Sequence, residues 1–123
     1  MKPPAVLIVE DDLWLAEQYS RVLSLAGYKV TITSHAEAAI QIIDDIQPDV
    51  IILDMLLTGS TALALMHELQ SYGDTAVIPI ILCTNLANEL SLDNLRSYGV
   101  RQIIDKTTMA PDDLIVALQA VLS

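Results

Sequence analysis

Short apolar runs alternate five times with stretches of helical period, and this alternation constrains the fold more than any other property of the chain. The runs are Ala5–Val9, Tyr28–Thr33, Asp49–Leu53, Ile78–Cys83 and Val100–Ile104. Several are apolar at consecutive positions, as in Val-Ile-Ile-Leu at 50–53. A strand alternates its faces, so such a run predicts burial on both sides. Between the runs the apolar period lengthens. From Leu13 it falls on Leu13, Ala16, Tyr19, Val22, Leu23 and Ala26, a helical stripe that Gly27 closes with a left-handed residue. Ala36–Ile46 reads as helix and Pro48 blocks its continuation, while Ser60–Tyr72 is expected to stop at Gly73. Leu86–Tyr98 is a weaker helix ended by Gly99. Pro111, Asp112 and Asp113 open the last helix, whose stripe is Leu114, Ala117, Leu118 and Val121. Three of the four glycines are thus expected to close helices. Strands alternating with helices pair in parallel through right-handed crossovers, with helices on both faces. The expected fold is α/β, a doubly wound parallel sheet of five strands in one domain spanning residues 1–123, with no output domain.

Composition narrows the function classes. Sixteen acids against six Lys and Arg give a formal charge of −10, which argues against binding nucleic acid through this domain, because phosphate contacts need clustered cations. Most of these acids serve solubility. Cys83 is the only cysteine, so an intrachain disulfide and a multi-cysteine zinc site are both excluded. It lies in an apolar run and is expected to be a buried thiol. The N-terminus is too short in apolar residues for a secretory signal, and no stretch approaches the ~20 apolar residues of a membrane helix. A cytoplasmic protein with no membrane partner is the expectation.

In an open parallel sheet, ligands sit beyond the carboxyl ends of the strands. There the sequence places Glu10, Asp11 and Asp12 after the first strand, Asp54 after the third, Thr84 at the fourth and Lys106 past the fifth. Crowded carboxylates repel, and a hard divalent cation relieves that repulsion; Mg²⁺ suits carboxylate, carbonyl and water ligands. With a metal in place one carboxylate can act as a nucleophile toward phosphorus. The Lys106 ammonium and the Thr84 hydroxyl are then placed to stabilise the equatorial oxygens. Asp12 is expected to cap the helix that starts at Leu13. His35 and His67 read as surface residues, and Trp14 and the four tyrosines are too scattered for a base-stacking platform.

The runs VLIVEDD (6–12), PDVIILDM (48–55), IILCTN (80–85) and IIDKT (103–107) together resemble the signatures of the receiver domain of bacterial two-component response regulators, over the whole chain and in order. The resemblance implies the flavodoxin-like (βα)5 fold with strand order 2-1-3-4-5, and a phosphorylation-dependent switch without turnover of an external substrate. It implies Asp54 as phosphoacceptor, with Mg²⁺ held by Asp11 and Asp54, by Glu10 through water, and by the backbone carbonyl of Leu56. Lys106 would pair with the phosphoryl group, and Thr84 would follow it and move. The donor would be a phosphohistidine on a sensor histidine kinase or histidine phosphotransfer protein. The output would pass to a downstream effector protein, with homodimerisation possible.

Four departures from that family matter. The proline and glycine usual after the acceptor are here Thr58 and Ala62, and Gly59 is expected to supply the loop's freedom. Asn85 replaces a small residue and is expected to narrow access to Asp54, slowing small phosphodonors. Ile103 replaces an aromatic that turns inward as the threonine shifts; an aliphatic side chain cannot make that swing, so a muted response is expected there. Thr107 replaces a proline after Lys106, which leaves that peptide either trans or strained in cis. Leu56 and Leu86 cannot orient an attacking water, so the aspartyl phosphate is expected to be long-lived. A haloacid-dehalogenase phosphatase would need a second aspartate where Leu56 stands, and that reading fails on chemistry. The stronger rival is a receiver-like docking module with weak or no response to phosphorylation. Ile103, Asn85 and Thr107 favour it; the acids, Thr84 and Lys106 oppose it.

Overall fold

A strand whose consecutive side chains are all apolar is stable only where both faces of its sheet are covered. The structure, a computed structural model, describes residues 2–56 and 61–123 and meets that demand. Its strands are β1 (Ala5–Val9), β2 (Lys29–Thr33), β3 (Val50–Leu53), β4 (Ile80–Thr84) and β5 (Val100–Asp105). They form one parallel sheet in the order β2-β1-β3-β4-β5, as the resemblance implied. Every residue of β3 and β4 is buried. Two cores lie on either side. One joins Leu7, Val9, Ile51, Leu53, Ile80 and Leu82 of the sheet to helices α2 (Ala36–Ile46), α3 (Ala62–Gln70) and the single-turn α5 (Leu92–Leu95). The other joins Val6, Ile8, Val50, Ile52, Ile81 and Cys83 to α1 (Leu13–Leu25) and α6 (Pro111–Leu122).

Local chemistry sets the ends of these helices. The Asp12 carboxylate accepts a hydrogen bond from Leu15 N at 3.1 Å, the cap expected of it. Thr61 caps α3 in the same way, accepting from Ala64 N at 3.1 Å. Gly27 at φ 98° and Gly99 at φ 90° carry the chain out of helical segments in a conformation costly for a side chain. Before Pro48, Gln47 takes the left-handed role at φ 48°.

Two expectations need correction. Gly73 does not stop a helix: the third helix ends at Gln70, and Gly73 opens a separate turn, α4 (Gly73–Ala76). Its start is Ala62, while the expected start, Ser60, lies outside the described residues together with Thr58 and Gly59. Residues 86–98 do not form one helix either. A 3-10 turn (Ala87–Glu89) gives way to extended backbone at Leu90 and Ser91, then to α5 and a second 3-10 turn (Arg96–Tyr98). Ser91 caps α5 at Asn94 N, 3.4 Å, and a capping serine competes with continuous helix. No peptide among the described residues is cis, so Lys106–Thr107 is trans.

Candidate functional site

Because all five strands run parallel, their carboxyl ends share one edge, and the ladder pins the residues just beyond it. Glu10 N donates to Thr33 O at 3.0 Å, Asp54 N to Val9 O at 3.1 Å and Lys106 N to Thr84 O at 3.1 Å. A register slip between β4 and β5 sets Ile80 opposite Val100 but Ile81 opposite Gln102. It brings Thr84 opposite Asp105, so that Lys106 follows at the mouth of the site.

Glu10, Asp11 and Asp54 converge, with one carboxylate oxygen from each lying within 4.8 Å of the others. Glu10 and Asp54 are buried at 2% and 6% exposure, while Asp11 is exposed. The Lys106 ammonium reaches Asp54 Oδ2 at 2.7 Å and also pairs with the Glu10 carboxylate. The second oxygens of both acids accept backbone hydrogen bonds, Asp54 Oδ1 from Leu56 N and Glu10 Oε2 from Asp12 N, each at 3.1 Å. Thr84 is fully buried and its hydroxyl oxygen accepts from Leu86 N at 3.2 Å. Glu10, Asp11, Asp54 and Lys106 are therefore brought together, and Thr84 lies on the same edge with its backbone carbonyl bonded to Lys106 N.

Burial raises the proton affinity of Glu10 above the ordinary carboxylate range, against the opposing pull of Lys106. Burial alone would lower the Lys106 pKa, but its bonds to Asp54 and Glu10 outweigh this and raise it, keeping the ammonium charged. One cation thus offsets two of three clustered acids and leaves an excess of negative charge. The donors are all hard oxygens, a set that fits Mg²⁺.

The departures fall around this site. Asn85 is exposed, Leu86 half-buried and Leu56 53% exposed, its backbone N–H tied to Asp54. Ile103 is half-buried against the core beneath α2, α3 and α5. Cys83 is buried, as expected. Its neighbours are the Tyr19 hydroxyl at 3.7 Å and the Met109 sulfur at 3.4 Å. No local pattern links Tyr19 to a residue 64 positions away. Also unforeseen is a groove of about 260 Å³ between α1 and α6, walled by Trp14, Gln18, Met109 and Pro111 and reaching Lys106.

The chain matches the response regulator receiver domain family over residues 6–119. It is 32% identical over 117 residues to the phosphate regulon transcriptional regulatory protein PhoB of Pseudomonas aeruginosa, an alignment covering 95% of this chain and 51% of that protein. It is 33% identical over 87 residues to the transcriptional regulatory protein BaeR of Escherichia coli, covering 71% and 35%. The chain thus spans about half of the length of the first of these curated relatives and about a third of the second. Its backbone superposes on the chemotaxis response regulator CheY4 of Vibrio cholerae with a TM-score of 0.84 at 24% identity, covering 97% and 98% of the two chains, a likeness of fold.

Proposed function

The chain belongs to the response regulator receiver domain family, whose members are phosphorylation-dependent switches, and from that premise we propose that Asp54 is the residue that takes the phosphoryl group. The observation that carries this reading is the pairing of buried Asp54 with Lys106 at 2.7 Å beside two further acids. Leu56 N orients Asp54 Oδ1 and Lys106 orients Oδ2, so the carboxylate is held in place and an oxygen is freed for attack as Lys106 moves to the incoming phosphoryl group. In the transfer, an Asp54 carboxylate oxygen forms a bond to phosphorus as the phosphorus–nitrogen bond of a donor phosphohistidine breaks. The bonding pair returns to the imidazole. Lys106, released from Asp54, balances charge on the phosphoryl oxygens, and the Thr84 hydroxyl turns from Leu86 N to donate to one of them.

Glu10, Asp11, Asp54 and the Leu56 carbonyl would hold Mg²⁺, which when bound neutralises the charge gathering on the transferred group. The reacting donor is a histidine kinase or phosphotransfer protein, and the groove beside Trp14, open to Lys106, offers it an apolar seat next to the site. Within this reading the domain acts on itself and turns over no external substrate, and its output passes to an effector protein. Asn85 stands at the rim as a filter against small donors, and Leu56 and Leu86 leave an attacking water without a partner.

Intact mass after incubation with Mg²⁺ and a phosphohistidine donor protein tests this. The wild type should gain one phosphoryl group and Asp54→Asn none. Labelling by a small phosphodonor should be slow and should speed up in Asn85→Ala, and the phosphorylated mass should persist once donor is removed. No gain in the wild type, with Mg²⁺ shown to bind, would replace the switch by a docking module.

A further inference from the structure

The α2–α3 seam lies on the opposite side of the sheet from α1 and α6, and it is not closed. Three adjoining cavities of about 230, 330 and 280 Å³ run along it. Ile40 and Glu68 wall the first two together; Ile43, Asp44, Asp74 and Thr75 wall the second and third. They form one groove with an apolar floor of Ile40, Ile43, Leu65 and Leu69. Its rim carries the exposed carboxylates of Glu37, Asp44, Glu68 and Asp74. Its wall also exposes apolar surface, since Tyr72 is 59% exposed and Val77 is 72% exposed. The eleven residues of α2 set its length at ~16 Å, about three turns of helix.

Charge selects the occupant. Residues 30–95 contain nine acids and not one Lys or Arg, so all six Lys and Arg of the protein lie outside the segment that builds this groove. Its one helical imidazole, His67, is engaged by the Tyr98 ring and hydroxyl. We propose that the α2–α3 groove docks an amphipathic helix of a partner protein, apolar on one stripe and Lys- or Arg-rich on its flanks. An apolar floor recognises the stripe, and the acidic rim recognises the flanks. A second copy is a poor occupant, because symmetric pairing through this face would set acid against acid. This inference does not rest on phosphorylation of Asp54.

The test uses a fluorescent synthetic peptide of about twelve residues, with Leu at i, i+4 and i+7 and Lys between. A scrambled peptide of equal composition serves as control. The patterned peptide should shift the methyl resonances of Ile40, Ile43, Leu65 and Leu69, and the scrambled one should bind at least about tenfold more weakly. Asp44→Lys with Glu68→Lys should weaken binding by at least about tenfold, whereas Glu17→Lys with Asp112→Lys, an equal charge change on α1 and α6, should leave it within about twofold. The proposal is overturned if both peptides bind alike, if the two double variants weaken binding alike, or if neither peptide binds. Shifts centred on the Trp14 groove, or a dimer that covers the same methyls, would overturn it as well.

Discussion

Lys106 sits between two buried carboxylates, and its removal leaves both without a counter-charge. Breaking a buried pair by deleting one partner typically costs ~3–5 kcal/mol. Lys106→Ala should therefore lose stability of about that size in urea denaturation without divalent cations, and millimolar Mg²⁺ should restore part of it. Beneath the site, burial pushes the Cys83 thiol up to about 11 and raises Tyr19 as well. An unfolded thiol ionises near ~8.5. Above that pH the unfolded chain releases a proton that the folded one keeps, so the stabilisation is full below it and drains as pH rises through the folded value. The loss attached to Cys83 is about 3 kcal/mol, and the raised pKa values of Tyr19 and Lys106 act in the same direction. Urea midpoints should fall from pH 9 to 11, and Cys83→Ala should flatten that fall. At this scale Asp54, Asp11, Glu10, Thr84 and Lys106 were all legible, because each lies within two residues past the end of an apolar run. Tyr19 was not, because its role comes from apposition across the core.

At the scale of elements, the three glycines after helical stretches look alike in sequence and differ in the chain. Gly27 and Gly99 have positive φ, whereas Gly73 does not. A Cβ on Gly27 meets nothing within 4 Å, so Gly27→Ala should cost the backbone penalty alone, ~1–2 kcal/mol. At Gly99 the same Cβ would lie 3.4 Å from both Ile78 O and Gln70 Nε2, in van der Waals contact, so Gly99→Ala should cost a similar backbone penalty. Gly73→Ala, open and at the start of a helical turn, should be neutral or stabilising by up to ~1 kcal/mol. Thermal denaturation of the three variants checks the order. Strand cores and α2 were read to within a residue or two because their patterns are strong. Residues 86–98 were misread because their apolar spacing suits a helix while Ser91 caps a new one in its midst.

At the scale of the whole molecule, Ile103 packs against the core beneath α2, α3 and α5. A branched aliphatic residue held there has no large rotation available. Phosphorylation should therefore perturb NMR shifts around Asp54 strongly and those around Ile103 and residues 92–98 weakly. Equal perturbation at both places would show that the signal needs no aromatic swing.

The sequence by itself determined the layered α/β architecture, the parallel sheet and the edge on which the acids, threonine and lysine meet. Period and polarity are local properties, and parallel strands leave only one edge for their carboxyl ends. Tertiary structure alone decided which charges touch. The β4–β5 slip that sets Lys106 opposite Glu10 and Asp54, the Tyr19–Cys83–Met109 contact and the open α2–α3 seam each depend on how elements distant in sequence pack. Such packing is settled by the volumes of side chains in two cores, and no single segment carries that information.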